Sequence, residues 1–374
     1  MKMKERIVAV LHHEKPDVIP FTVYTMLLPS RGSGERDLRN MGLGLVELGL
    51  SVYGVKTPNV KMQTTEDLAL FLRGYRITST SRQKRLAQRA YTSPAGTVSE
   101  KYTLGYTPGL GEWPVEWMIK DLRDYEIVGY MIDDTEYFPD YEEFSKAEEI
   151  LGDDGIVIPM TPKSPLQSML LDLMGYERFS IDYQNHRHEI DALYTLFTKK
   201  QLEMYKVIAD SPAEVILLDD NINGIVTNPK LFERYCMPFY EKVAEIFHQH
   251  DKILMVHCDG KLKCLRELIA KSKMDVIEAF TPPPIGDISI EEAMSAWKGK
   301  ILWANFPATS TLGVQLDRVE EETMNILKSA SPGDGFALGV TEDIGDIRSI
   351  RYQQVLGAIT KTVMKCGKYP ISKS

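Results

Sequence analysis

From about residue 153 onward the chain alternates short, wholly apolar runs with longer stretches of helical periodicity. The runs at 156–160, 214–219, 253–256, 276–277, 301–305 and 336–340 are rich in Ile, Leu and Val. They have the character of strands buried on both faces of a parallel sheet. Between them, apolar residues recur at three- and four-residue spacing over 165–174, 189–209, 229–250, 261–271 and 346–366, as amphipathic helices require. Pro165 stands where a first helical turn tolerates proline, and Leu193, Leu196, Leu202 and Tyr205 mark one face of the longest helix. Each strand candidate ends in a polar cluster. This β-α rhythm predicts an α/β fold, a (β/α)₈ barrel of the TIM type. A doubly wound sheet is the alternative, but no Gly-rich dinucleotide fingerprint follows the first strand.

The first third is less regular. A short amphipathic helix is expected over 6–13, an apolar run over 18–23, and a Gly- and Arg-containing loop over 28–40. Helical spacing follows over 42–50 and a strand over 51–55. From about 60 to 135 the pattern changes: basic and polar residues alternate over 73–88, 91–97 is a hairpin candidate, and 113–117 carries aromatics. That stretch reads as an inserted antiparallel arm, facing substrate or an interface, within one barrel domain spanning 1–374.

Composition narrows the partners. The 374 residues are 43% hydrophobic and 26% charged, with net charge -9 and a pI near 5.4. This is a soluble globular balance, without the basic excess of a nucleic-acid or anionic-membrane surface. No apolar run reaches the roughly 18 residues of a membrane span, and the N-terminal stretch is charged too early for a signal peptide. Four cysteines fit free thiols in a reducing cytoplasm.

Function in parallel α/β folds gathers at the carboxyl ends of strands. There His257, Asp259, Glu278 and Glu342 form an imidazole-and-carboxylate set suited to a divalent metal. The bland alternative is a hydrogen-bonded histidine with acids capping the next helices. Cys258 reads as a small buried hydrophobe. Asp219, Asp220 and Asn221 close another strand and suit either substrate hydrogen bonding or turn chemistry. Asn305, closing the run 301–305, is a further substrate-binding candidate. Arg31, Arg36 and Arg39 offer bidentate forks for a carboxylate or phosphate, or simply a solvated loop. Met26, Met160, Met169, Met174 and Met255 are core packing or the lining of an apolar pocket.

On these residues the chain resembles the uroporphyrinogen decarboxylase superfamily over nearly its whole length. RIVAVL at 6–11 with KPDVIP at 15–20 is similar to its N-terminal signature. PFY at 238–240, His257, TPPP at 281–284 and Gly286-Asp287 resemble a branch of methyltransferases that feed corrinoid proteins. The resemblance implies a (β/α)₈ barrel and transfer of a methyl group from an O-methyl donor, an aromatic methyl ether, to the cobalt of a corrinoid on a partner protein. In zinc-dependent relatives His-x-Cys, a Glu and a distant Cys hold the metal. Here His257 and Glu278 match, while Asp259 and Glu342 stand where thiolates would fall, so a divalent ion, zinc foremost, is the expected cofactor. Glu278, Glu342 and Asp219 are then the catalytic candidates. Without metal, Glu278 or Glu342 would serve as general acid. A homodimer stays open. The family's Met-Arg-Gln-Ala-Gly-Arg stretch is absent, which leaves cofactor-free decarboxylation of a porphyrinogen as the second expectation. A catalytically silent barrel in a corrinoid system is the third, favoured if the carboxylates are already paired with Lys or Arg.

Overall fold

The structure, a computed structural model, describes residues 1–28, 32–67, 85–104, 112–308, 312–342 and 347–372. Arg31 and most of the basic stretch expected over 73–88 lie outside them. The chain divides into two compact units. One comprises 1–52, 139–162 and 208–374; the other comprises 53–138 and 163–207.

The first unit is built on a parallel sheet in which, among the described residues, nine strands pair. In chain order they are β1 (Phe21–Tyr24), β2 (Gly44–Glu47), β3 (Gly155–Val157), β4 (Met160–Thr161), β5 (Val215–Leu218), β6 (Ile253–His257), β7 (Val276–Phe280), β8 (Ile301–Asn305) and β9 (Phe336–Val340). Across the sheet the order is β4-β5-β6-β7-β8-β9-β1-β2-β3. Its two outermost strands, β3 and β4, are separated by only two residues. The stretch 155–161 therefore pairs with β2 through its first half and with β5 through its second. The sheet is curled, an arrangement compatible with a TIM-type barrel, and Trp303 Nε1 on β8 reaches over Gly339 of β9 to donate to Thr22 Oγ1 on β1 at 3.3 Å.

The strands form where the chain is apolar without interruption. β1, β5, β7, β8 and β9 are buried at every position, as a sheet covered on both faces demands. Helices follow most of them, among them Met237–His248, Leu316–Ser329 and Ile350–Cys366. Close approach is tightest at Gly155, where a Cβ would lie 1.8 Å from the Leu45 carbonyl oxygen. Only glycine lets β2 and β3 pair there.

Three expectations are corrected. Residues 42–50 hold a strand, β2, and no helix: Leu45 and Val46 are buried, and the glycines at 42, 44 and 49 disfavour a helix. Within the expected loop 28–40, Ser33–Asn40 is helical. Leu38 is its one buried apolar side chain, too little for periodicity to reveal; Glu35 and Arg39 pair at i,i+4 with 2.9 Å between them. The helix expected over 261–271 is a 3₁₀ turn, Lys263–Leu265, followed by Arg266–Lys271.

The second unit holds the inserted antiparallel sheet. Its strands Lys61–Asp67, Arg85–Ser93, Gly96–Leu104 and Glu112–Glu116 pair in sequence order, with a tight hairpin at Ser93–Gly96 inside the expected 91–97. Trp117, from the aromatic cluster, donates its indole N–H to the Leu171 carbonyl at 2.7 Å. Asp182, wholly buried, accepts from Tyr125 Oη at 2.8 Å and from Arg178 Nε at 2.6 Å. In the described residues of either unit no helix is long and apolar enough to cross a membrane, and all four cysteines are free.

Candidate active site

Side chains alternate between the two faces of a strand, and that alternation sorts the polar clusters at the strand ends. On β5 and the residues after it, Asp219 falls with Leu217 and Asp220 with Leu218. On β6, His257 and Asp259 share a face and Cys258 takes the other. The contacts follow this division. The charge of Asp219 acts on Tyr24 and His257. Asp220, fully buried, accepts from Tyr240 Oη at 2.6 Å, and Tyr240 belongs to the covering helix Met237–His248. Asp220 is thus turned away from the concave face, and the expectation that it contacts substrate is corrected. Cys258 and Cys236 are buried on the same side, where burial and the Asp220 charge push both thiols up.

The concave face carries a three-residue relay. His257 and Glu278 are register partners on β6 and β7, and His257 Nδ1 lies 2.6 Å from Glu278 Oε2. Tyr24, at the end of β1, donates its phenol to the other carboxylate oxygen, Oε1. Glu278 is 2% exposed, so both of its oxygens are satisfied by protein donors. Local backbone geometry helps to aim it. Ala279 has φ of 56°, and the pairing of β7 with β8 shifts register between Ile277 and Phe280. A bulge of this kind re-aims the neighbouring side chain, and a non-glycine residue in the left-handed region marks stored strain.

Burial opposes charge on His257, but the Glu278 carboxylate and its hydrogen bond, with Asp259 and Asp219 behind them, outweigh burial and raise the imidazole to about 9. At neutral pH the His257 ring is therefore held as imidazolium. With Nδ1 committed to Glu278, Nε2 is left without a protein partner among the described residues, and the side chain retains 23% exposure. This nitrogen can hand a proton to a bound molecule. Tyr24, buried beside a carboxylate, is held well above the ordinary phenol range by burial first and by the Glu278 charge second. It can only donate.

Two further acids stand close by. Burial raises Asp259, whose Oδ1 is buried without a partner among the described residues. Burial and then the Asp259 charge raise Glu342, while a hydrogen bond from Asn305 works the other way. Asn305, fully buried, joins three strand ends: its Oδ1 accepts from the Thr341 backbone at 3.0 Å and its Nδ2 lies 3.4 Å from Thr281 Oγ1. It orients the site from behind. Asn221 is exposed in the loop after β5. Of the arginine loop, Arg39 is taken up by Glu35 and Asp154, and Arg36 is exposed on the helix. Tyr24 escaped the sequence reading, although it ends the first strand just as His257 ends β6.

The residues expected to ligate a metal are distributed differently. Glu278 stands behind His257 with both oxygens engaged by donors, and among the described residues no group of three or more His, Cys, Asp or Glu is disposed to hold an ion. As arranged, the donor set does not fit a metal centre. It fits a proton-transfer site.

Residues 164–344 match the family model for uroporphyrinogen decarboxylase (URO-D). A solved methyltransferase from Methanosarcina mazei superposes with a TM-score of 0.56 at 10% identity, covering 98% of this chain and 99% of that one. A B12-independent methionine synthase from Shewanella sp. W3-18-1, in complex with selenomethionine, covers 71% of this chain and 74% of its own, at 13% identity and a TM-score of 0.45. No curated protein sequence matches the chain.

Proposed function

We propose that the curled sheet is a (β/α)₈ barrel with its mouth at the carboxyl ends of the strands, and that the chain is a methyltransferase. It takes the methyl group of an O-methyl donor, an aromatic methyl ether, to the cobalt of a corrinoid carried by a partner protein. The observation that carries this reading is the His257–Glu278 pair, a part-buried imidazolium with one nitrogen free. The M. mazei methyltransferase, similar over nearly the whole chain, supports the fold on which the reading rests.

The difficulty in cleaving an aryl methyl ether is the leaving group, because phenolate is expelled slowly unless its oxygen gains a proton as the C–O bond breaks. His257 supplies that proton from Nε2 to the ether oxygen, and Glu278 stabilises the imidazolium beforehand. The corrinoid, as co-substrate, supplies a cobalt(I) nucleophile that accepts the methyl group. Ether, proton and cobalt(I) give phenol and a methylated corrinoid, so the step balances with no further reactant. Asp219 and Glu342 flank the ring, and the Asp259 charge acts on both His257 and Glu342. None of these steps requires a metal on this chain.

The test is turnover of a methoxyarene with free cob(I)alamin as acceptor. The parent chain should release phenol, and His257→Gln should be slower by about 10²–10⁴-fold. Phenol release undiminished by that variant would refute the role given to His257.

The family match favours a second reading, decarboxylation of a porphyrinogen, in which the same imidazolium would protonate carbon. Charge weighs against it. No lysine or arginine figures among the groups acting on His257, Asp259 or Glu342 in the described residues, and Arg39 is already paired with acids. A substrate with eight carboxylates would meet a mouth dominated by acids.

A further inference from the structure

We propose that Tyr24 is a positioning residue of this site, acting through Glu278 on the imidazole of His257. The inference rests on the reading of His257 as proton donor and adds a residue that reading does not require.

The argument is geometric. A carboxylate turns easily about its last torsion, a broad two-fold well. Held by a single donor, Glu278 would be free to swing its plane, and the imidazole bonded to it would swing as well. The structure holds it at both oxygens and from two directions: His257 of β6 binds Oε2, and Tyr24 of β1 binds Oε1. β1 and β7 are not neighbours, since β8 and β9 lie between them, so the phenol reaches Glu278 across the concave face. Tyr24 is 7% exposed and Glu278 2%, which leaves little water to replace the lost donor. Fixing the carboxylate plane fixes the direction of the Nδ1–H bond and hence the ring plane of His257. Nε2 is then the one nitrogen free to transfer a proton. The bulge at Ala279 sets the same carboxylate from the backbone side, so Tyr24 completes a constraint the strand has begun. Tyr24 touches no reacting atom; it acts on the residue that does.

The experiment uses the full chain labelled with ¹⁵N-histidine and reads the Nδ1–H resonance of His257, assigned by its loss in His257→Gln. In the parent this proton should be downfield, sharp and slow to exchange with water, as expected for an N–H donating to a buried carboxylate. In Tyr24→Phe the signal should broaden and exchange faster, on the order of tenfold, matching one lost hydrogen bond to a charged acceptor. Tyr352→Phe removes another buried phenol, one whose oxygen has no partner among the described residues, and should leave the signal unchanged. Should Tyr24→Phe fail to fold, Tyr24→Met fills similar space without a donor and carries the same expectation. A sharp, slowly exchanging signal in a folded Tyr24 variant would overturn the proposal, as would equal broadening in Tyr352→Phe. The readout needs no substrate, so it succeeds or fails independently of the methyl-transfer reading.

Discussion

His257 and Glu278 face each other on neighbouring parallel strands, with imidazole Nδ1 2.6 Å from carboxylate Oε2. The pair links stability to pH. The folded imidazole stands at about 9 against an unfolded value of about 6.5. A raised histidine contributes its full stabilisation below the unfolded value and loses it as pH rises through the folded one. The stability difference between the parent and His257→Gln should therefore be largest below about pH 6.5 and fade by about pH 9, with an upper bound on the order of 3 kcal/mol. Denaturant melts of the two proteins across that range measure it. A difference that grows towards pH 9 would contradict the assignment.

Removing the carboxylate charge should reverse the balance on the ring. In Glu278→Gln burial, which disfavours the charged imidazole, is no longer outweighed by its nearest acid. The His257 titration midpoint should then fall from about 9 to near or below about 6.5. An NMR titration of His257 reads this directly. The same variant should slow methyl transfer at neutral pH, because a midpoint near 6.5 leaves roughly a quarter of the donor protonated at pH 7 and each further unit of fall costs about tenfold more.

Asn305 links the ends of β7, β8 and β9 through Thr281, its own strand and Thr341. Asn305→Ala should leave the part-buried Thr341 N–H without its acceptor, at a cost of about 1 kcal/mol. Glu342 also loses the hydrogen bond that stabilises its charge, so its midpoint should rise further above the ordinary carboxylate range. Thermal melts and a carboxylate titration test the two effects separately.

Gly155 sets the seam of the sheet. A methyl group there would lie 1.8 Å from the Leu45 carbonyl oxygen, and backbone cannot yield as a flexible side chain can. Gly155→Ala should cost about 1–3 kcal/mol or more. Amide exchange should rise in β2 and β3 before it rises in β7 and β8.

The strands after residue 153 were legible because each is buried on both faces and reads as an unbroken apolar run. β2 was misread because its apolar residues lie among glycines at a spacing that also suits a helix. The helix Ser33–Asn40 was missed because it buries a single leucine. The position of His257, the last residue of β6, followed from the rule that strand ends carry function. Glu278, expected just beyond a strand end, sits in the middle of β7 because that strand runs on through Glu278 to Phe280. Their mutual bond did not follow from that rule, since register between strands is not written in either strand alone. Tyr24 was hidden for the same reason: its partner lies 254 positions away. Asp219 and Asp220 looked equivalent in sequence, and only the alternation of faces separates the one whose charge acts on His257 from the one bonded to Tyr240.

The central claim is that this chain moves an intact methyl group from an ether oxygen to cobalt. Its most direct test supplies a trideuteromethoxy arene and cob(I)alamin and follows the label by mass spectrometry. The account predicts a corrinoid carrying all three deuterons, formed in equal amount to the phenol and suppressed in His257→Gln. Unlabelled corrinoid and intact ether, with carbon dioxide released from a porphyrinogen supplied in their place, would contradict it.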